Sequence, residues 1–279
     1  MPAVCCCSGG AEATDTPWLG RDELAASFAD PAVARAYRHR PPYPPEVLDV
    51  LERLIADRPR NVLDIGAGEG ALARPLAARV DQVDALDTSP AMLAAGAGRP
   101  GGTRPNLRWI LGAAQSAELG GPYALVTAGA SLHWMPWEQT LARLAGVMTE
   151  RAFLVIVEHG YDDEPWREEL TEIIVAHSRN PGYEPGFSLP GELSARGLLE
   201  IAGQATPPPW PFRQTVADYV EHFHSTASLA RGLMPAAESA AFDHAVERMV
   251  GGHAVDGLLE LTVTAHLTWG RPVRAGRGG

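Results

Sequence analysis

A glycine-rich turn between an apolar segment and an alanine-rich segment constrains this chain most. The sequence NVLDIGAGEGALARPLAARV spans residues 61–80. Its apolar start predicts a buried strand, its glycines predict a turn, and the segment from about Ala71 predicts a helix. Small residues in the turn let the backbone approach a ligand, and the start of the helix offers unpaired N–H groups. The turn is therefore a candidate cradle for a phosphate or a nucleoside.

Two classes of ligand fit this turn. The letters GAGEGA match the loose pattern of dinucleotide-binding proteins such as nicotinamide-dependent dehydrogenases, which place a pyrophosphate at the start of the helix. Asp64 lies in the strand before the turn and Glu69 lies within it, and these carboxylates would repel a pyrophosphate but attract an ammonium group. A second predicted strand ends at Asp87, whose carboxylate can accept both hydroxyls of a ribose. We therefore expect a nucleoside that carries a cationic group.

Predicted strands and helices alternate along the first 160 residues. The predicted strands span residues 61–65, 82–87, 106–111, 124–128, 152–160 and 259–270, with a short strand near Phe212. The predicted helices in the first half span 23–40 with a break near Pro31, 45–56, 71–79, 90–97 and 138–148. Later helices are predicted over 165–177, within 181–203, from Val216 and over 236–252. This order predicts an α/β fold with a doubly wound, mostly parallel sheet and right-handed crossovers. In such a sheet the ligand lies beyond the carboxyl ends of the strands.

Five segments in order resemble one enzyme family. They are YRHRPPYPPEVLDVL (37–51), LDIGAGEG (63–70), LDTSPAML (86–93), GAAQSAEL (112–119) and VTAGASLHWM (126–135). Together they resemble the class I S-adenosylmethionine-dependent methyltransferases, in the small-molecule branch of type 11 and trans-aconitate methyltransferase-like proteins. The resemblance implies a Rossmann-like, seven-stranded sheet, S-adenosyl-L-methionine as the cofactor, and a helical lid for the substrate inserted after the fifth strand.

The resemblance also implies which residues bind the cofactor. These are Tyr37, Arg40, Asp64, Gly66, Ala67, Gly68, Asp87, Thr88, Met92, Ala114, Gln115 and Ala128. Arg40 is expected to pair with the methionine carboxylate and Tyr37 to cover it. Related proteins usually carry Asp-Ala-Glu after the third strand, whereas this chain has Ala-Ala-Gln at 113–115. Adenine recognition is therefore left to backbone N–H groups and Gln115.

His133 is the candidate catalytic residue. It follows the fourth strand, whose end faces the transferring methyl group in class I folds, and an imidazole titrates near neutrality as a general base should. For a carboxylate acceptor, which arrives ionised, His133 would only orient the substrate, and a packed core histidine is the structural alternative. The predicted substrate contacts are Tyr43, Trp134, His224 and Arg231. His222 and His224 do not face each other on a helix, so no metal site is predicted.

These features together predict a methyltransferase for a small molecule, acting on oxygen, nitrogen or a carboxylate by in-line transfer. Two alternatives stay open, namely a non-methylating reaction such as cyclisation with the same cofactor, and a non-catalytic binding module. The net charge of −11 argues against nucleic acid as the substrate. The chain contains no lysine, which excludes Schiff-base chemistry and Walker-type phosphate binding.

Four regions are expected along the chain. Residues 1–20, with the consecutive cysteines Cys5–Cys7, are predicted to be a disordered leader, and residues 271–279 a flexible tail. Residues 21–160 would form the cap helices and the cofactor-binding core, and residues 161–270 the lid helices and the final strands. Without a long apolar segment, a signal sequence or a disulfide framework, we expect a cytoplasmic monomer or homodimer that does not bind membranes.

Overall fold

The computed structural model describes residues 22–162, 164–180 and 187–273. The predicted leader with its cysteines and residues 274–279 lie outside the described residues. The predicted boundary of the tail is wrong by two residues, because Arg271 and Pro272 belong to the last strand.

A single sheet forms the centre of the described structure. Its strands are β1 (Asn61–Ile65), β2 (Gln82–Asp87), β3 (Leu107–Leu111), β4 (Tyr123–Gly129), β5 (Met148–Asp162), β6 (Leu199–Ala205), β7 (Trp210–Thr215) and β8 (Leu258–Pro272). The strand order is β3-β2-β1-β4-β5-β8-β6, and β7 also pairs with β8. The first five strands are parallel, whereas β8 runs antiparallel to β5, β6 and β7. The predicted doubly wound α/β class is confirmed.

Helices flank the sheet on both faces. In the described ranges they are α1 (Asp22–Ala26), α2 (Pro31–Ala36), α3 (Pro45–Leu54), α4 (Ala73–Leu76), α5 (Pro90–Ala97), α6 (Trp137–Val147), α7 (Arg167–His177), α8 (Leu189–Ala195), α9 (Val216–Phe223) and α10 (Ala236–Gly251). One face of the sheet packs against α6 and α8, and the other against α3 and α4. Among the described residues, no helix combines the length and apolarity needed to cross a membrane.

The sheet has eight strands where seven were predicted, because residues 199–205 form β6 instead of continuing a helix. Helix α8 ends at Ala195, and Gly197 adopts a φ of +68°, a conformation that commonly ends helices. The chain then pairs with the last part of β8 at the sheet edge. Helix α4 is also shorter than predicted, because the following amides bond to carbonyls three residues back in a tighter turn.

A separate apolar cluster joins α7, α9 and α10 to β7 and the first part of β8. We call this unit the C-terminal lobe. Strands β5 and β8, at 15 residues each, are long enough to serve both the main sheet and this lobe. At the carboxyl ends of the parallel strands, residues that follow β1, β2 and β4 share a cavity with Ala25 of α1 and Phe28. A ligand is expected at these carboxyl ends.

Candidate functional site

The glycine turn after β1 has a conformation that favours glycine. Gly66, Gly68 and Gly70 have φ angles of +63°, +55° and +74°, which residues with a Cβ rarely adopt. A Cβ on Gly66 would also overlap the side chain of Ser131, in the loop after β4. The turn can therefore lie against that loop only because Gly66 has no side chain.

Asp87 ends β2 with both carboxylate oxygens fixed by the backbone. Its Oδ2 accepts from the N–H of Gly68 at 2.8 Å, and its Oδ1 accepts from the N–H of Ser89 at 2.8 Å. Burial raises the pKa of Asp87, and these hydrogen bonds act in the opposite direction. Each oxygen keeps a further lone pair, so the carboxylate can still accept hydroxyl groups.

A cavity of about 230 Å³ lies beside Asp87. The predicted cofactor residues that line it with Asp87 are Tyr37, Gly66, Gly68, Thr88, Met92, Ala114 and Gln115, and Trp134 lines it too. Ser89 positions Met92 by capping α5, with its Oγ accepting from the N–H of Met92 at 3.2 Å. Ala128 does not line this cavity because it is fully buried in the core, and Ala130, two residues later, does.

A larger cavity of about 620 Å³ lies on the other side of the turn. The predicted residues Tyr37, Arg40, Tyr43, Asp64, Gly66, Ala67 and Gly68 line it. Because Tyr37, Gly66 and Gly68 line both cavities, the two are adjacent. Glu69 also lines the larger cavity, but its carboxylate is paired with Arg99 at 2.6 Å.

Asp64 is a buried carboxylate at the inner end of the larger cavity. Its Oδ1 accepts from Thr127 Oγ1 at 2.7 Å. Burial raises the pKa of Asp64 to about 7 in spite of this hydrogen bond, and the charge of Asp87 adds to the increase. A cation bound nearby would stabilise the ionised form, which agrees with the predicted ammonium group.

Arg40 is held in the same cavity by the C-terminal lobe. Its Nε donates to Ser225 Oγ at 2.7 Å and its Nη2 to the Ser225 carbonyl at 3.0 Å. The guanidinium lies 4.0 Å from the centre of the Tyr37 ring. No carboxylate of the described residues forms an ion pair with Arg40, so its charge is available to an anionic group.

His133 lies in a short turn after β4, half-buried and with its ring 5.0 Å from that of Trp134. Burial lowers its pKa to about 4, and the charge of Arg40 adds to the decrease. An imidazole with so low a pKa is a weak base at neutral pH. His133 lines neither cavity, and its catalytic role stays a prediction.

The predicted aromatic substrate contacts, Trp134 and Tyr43, are divided between the cavities. Trp134 lines the smaller one, edge-on to Phe28 at 5.4 Å, and Tyr43 lines the larger one, with its ring centre 3.9 Å from that of His159 and tilted by 31°. Trp137, which follows closely in sequence, is fully buried in the core and donates to the Leu132 carbonyl.

His224 and Arg231 lie away from both cavities. The ring nitrogens of His224 lie 2.8 Å from the Leu229 carbonyl and 2.6 Å from Asp243, and the ring is 2% exposed. Arg231 pairs with Glu221 and Asp243, each at 2.8 Å. The predicted substrate contacts at these two residues are therefore corrected, because both side chains join α9 to α10.

His159 was not predicted from the sequence, although it lines the larger cavity. It follows the apolar run of β5 close to the strand's carboxyl end, and that position was the available signal. Within the described ranges, no group of three or more His, Cys, Asp or Glu residues could hold a metal ion.

Residues 62–151 match the family model described as a methyltransferase domain. The trans-aconitate 2-methyltransferase of Mycobacterium sp. strain KMS is 34% identical over 154 residues, a match that covers 54% of this chain and 54% of that protein. The chain thus spans about half the length of this curated relative.

Two solved structures have the same fold. They are S-adenosylmethionine-dependent methyltransferases from Thiobacillus denitrificans and Geobacter sulfurreducens, each in complex with S-adenosyl-L-homocysteine, with TM-scores of 0.53 and 0.52 at 14% and 15% identity. The matches cover 87% and 90% of this chain, and 97% and 98% of those chains. Residues 62–151 thus match a methyltransferase domain, and the described structure has the fold of these solved methyltransferases, which agrees with the predicted class I fold. The small-molecule resemblance predicted from the sequence agrees with the name of the mycobacterial relative, trans-aconitate 2-methyltransferase.

Proposed function

We propose that this protein transfers a methyl group from S-adenosyl-L-methionine to a small molecule, and that the methyl acceptor is a carboxylic acid. The observation that carries the proposal is Asp87, whose carboxylate is fixed by the N–H groups of Gly68 and Ser89 at the edge of the smaller cavity. This arrangement fits a ribose, since both hydroxyls can donate to the free lone pairs of the two oxygens.

The smaller cavity suits an adenosine. Met92 and Ala114 provide apolar surface for a base, and Gln115 provides an amide that can donate or accept. The turn glycines have no side chains that would fill the cavity. A Cβ on Gly68 would already lie 3.5 Å from the Tyr37 ring, so a larger side chain there would take up space that a ligand needs. The residues present therefore fit the nucleoside part of the cofactor.

The larger cavity suits the amino-acid part. Arg40 presents an unpaired positive charge for a carboxylate, and Asp64 presents a carboxylate for an ammonium group. When bound, the cofactor supplies a methyl group already activated on a cationic sulfur. Tyr37, which lines both cavities, can face that cation with its ring. Orientation of donor and acceptor is then the main contribution of the protein.

A carboxylate acceptor is supported by the arginines of the larger cavity. Besides Arg40, this cavity is lined by Arg38, Arg74 and Arg104, although the whole chain carries a net charge of −11. Such a local positive field attracts small anions. An ionised carboxylate needs no base, which agrees with the low pKa of His133, about 4, and makes His133 an orienting residue in this proposal. The name of the mycobacterial relative, trans-aconitate 2-methyltransferase, agrees with an acid as acceptor.

The proposal is tested by incubating the full chain with S-adenosyl-L-methionine and a panel of small acids, with their amides as uncharged controls. We expect an acid to gain one CH₂ unit by mass spectrometry, in an ester that alkali hydrolyses, with equal formation of S-adenosyl-L-homocysteine. Methylation of the amides alone would contradict the carboxylate acceptor. A rearranged product of unchanged mass would favour the cyclisation alternative, and failure to bind the cofactor would favour a module without this function.

The sequence also predicts a monomer or homodimer in the cytoplasm that does not act on nucleic acid, and these points stay predictions.

A further inference from the structure

His159 has an unusual hydrogen-bonding state. Its Nε2 lies 3.0 Å from the carbonyl oxygen of Pro41. A carbonyl oxygen only accepts, so Nε2 carries the proton and donates. Burial lowers the pKa of His159 to about 4, so the ring is neutral near pH 7. In this neutral tautomer Nδ1 has a lone pair and acts only as an acceptor.

Nδ1 of His159 has no donor. The atom is buried and has no hydrogen-bond partner among the described residues. Buried polar atoms are seldom left unpaired, since each one loses its hydrogen bonds to water on folding. The ring cannot easily reorient to correct this, because the Pro41 carbonyl accepts from one nitrogen and the tilted Tyr43 ring lies 3.9 Å from its centre.

The surroundings of His159 indicate which kind of donor fits. His159, Asp64 and Tyr43 line the same cavity. Gly129 lines it too, and the Tyr43 hydroxyl lies so close to this glycine that a Cβ there would be only 2.5 Å away. Asp64 and the neutral His159 both offer acceptors there, and Arg40 in the same cavity can pair with a carboxylate. The group that fits beside the two acceptors is therefore the ammonium of an amino acid, which has several N–H donors. A neutral imidazole accepts from such a cation without adding a competing positive charge.

We propose that Nδ1 of His159 accepts an N–H from the α-ammonium group of the methyl donor and so selects ligands that carry the amino-acid part. This inference rests on the proposed function. Because Nδ1 is buried, a ligand reaches it only if a neighbouring group such as the Tyr43 ring moves aside. His159 is then a specificity-determining residue, distinct from His133.

Two substitutions separate the ligand contact from the structural contact. His159→Gln places an amide N–H near the Nε2 position and keeps a donor for Pro41, but it removes the acceptor at Nδ1. His159→Asn places its oxygen near the Nδ1 position and keeps the acceptor, but it loses the donor. The control is His177→Gln, because His177 also has a buried, unpartnered Nδ1 but lines neither cavity.

The test measures calorimetric affinities for S-adenosyl-L-homocysteine and for 5′-methylthioadenosine, which lacks the amino-acid part. We expect His159→Gln to weaken S-adenosyl-L-homocysteine binding by about tenfold or more and to leave 5′-methylthioadenosine binding unchanged. His159→Asn should keep most of the preference for the longer ligand, and His177→Gln should change neither affinity. Thermal unfolding of each variant checks that it is folded.

Equal losses for both ligands, or a larger loss in His159→Asn than in His159→Gln, would show a structural role and overturn the inference. If a variant fails to fold, nitrogen-15 NMR of the unaltered protein decides. The Nδ1 resonance of His159 should shift on binding S-adenosyl-L-homocysteine and not on binding 5′-methylthioadenosine, and the same shift with both ligands would overturn the inference. If the unaltered protein binds neither ligand, the proposed function itself fails.

Discussion

Asp87 is the residue on which the nucleoside site depends. Its replacement by Asn keeps the shape but leaves one acceptor oxygen and one NH₂ group, so a backbone N–H of Gly68 or Ser89 would face a donor. We expect Asp87→Asn to weaken S-adenosyl-L-homocysteine binding by about 10- to 100-fold in calorimetry. The matched control is Asp81→Asn, because Asp81 also accepts a backbone N–H at 2.8 Å but is exposed and lines neither cavity. Equal effects of the two substitutions would contradict a ribose contact at Asp87.

His133 gives a second prediction, for the pH dependence of catalysis. Since burial lowers its pKa to about 4, the ring stays neutral throughout the neutral range, and protonation begins only in acid. We expect kcat/KM to show no inflection from this group near pH 6.5. His133→Ala should keep the affinity for S-adenosyl-L-homocysteine and lower turnover by about tenfold or more, through lost orientation.

A rate inflection near neutrality that disappears in His133→Ala would instead identify this residue as a general base. Unchanged turnover in the variant would reduce His133 to a packing role.

Some residues of the site follow from local sequence and others do not. The turn glycines and Asp87 were predictable because their spacing in one strand-turn-helix segment determines their geometry. The structural roles of His224 and Arg231 were not, because they share Asp243 on another helix. The state of His159 depends on the Pro41 carbonyl, 118 residues away in sequence.

The glycine turn gives a prediction for a whole element. Alanine at position 66 would need a φ of +63° and would overlap Ser131, whose Oγ donates to the Ile65 carbonyl at 2.7 Å. We expect Gly66→Ala to lower the free energy of unfolding by about 2 kcal/mol or more in urea titrations. Gly146→Ala in α6 is the control, because a Cβ there has no neighbour within 4 Å.

The control substitution should raise the stability by about 0.5–1 kcal/mol, since alanine favours a helix over glycine. Wild-type stability in Gly66→Ala would show that the turn is not constrained in the way the structure indicates.

Some strands were predicted with the correct bounds, and one was mistaken for a helix. Strands β1 and β2 have the predicted bounds because each is an apolar run with turn residues at its ends. Strand β6 was mistaken for helix because most of its side chains are exposed at the sheet edge and give no alternating pattern. Its pairing partner is the last part of β8, where Leu199 lies opposite Pro272, and local sequence cannot indicate so distant a partner.

Across the whole molecule, one short segment joins the cap to both the sheet and the C-terminal lobe. The His39 carbonyl accepts from Gln214 at 2.6 Å, Arg40 donates to Ser225, and the Pro41 carbonyl accepts from His159. Three half-buried imidazoles lie close enough to Arg40 for its charge to add to the effect of burial, which lowers their pKa values to about 4 for His133 and His159 and about 3 for His222.

These histidines predict acid sensitivity of the fold. Because burial lowers the pKa in the folded state, the unfolded chain takes up protons first, so their stability contribution is complete above about pH 6.5 and is lost as the pH falls towards 4. Asp64 acts in the opposite direction, because its folded pKa is raised to about 7. A comparison of variants therefore isolates the histidine contribution.

We expect the loss of unfolding free energy between pH 7 and pH 5 to be smaller in His222→Gln than in the unaltered protein, by about 2 kcal/mol. The measurement is guanidinium unfolding of both proteins at the two pH values. An identical pH dependence in the two proteins would contradict the buried neutral state of His222.

The most direct test of the central claim is a crystal structure of the protein with S-adenosyl-L-homocysteine. We predict the ribose hydroxyls within hydrogen-bonding distance of the Asp87 carboxylate, with the adenine in the smaller cavity beside Met92 and Gln115. A nucleoside bound elsewhere, or an Asp87 side chain turned away from the ribose, would contradict the account.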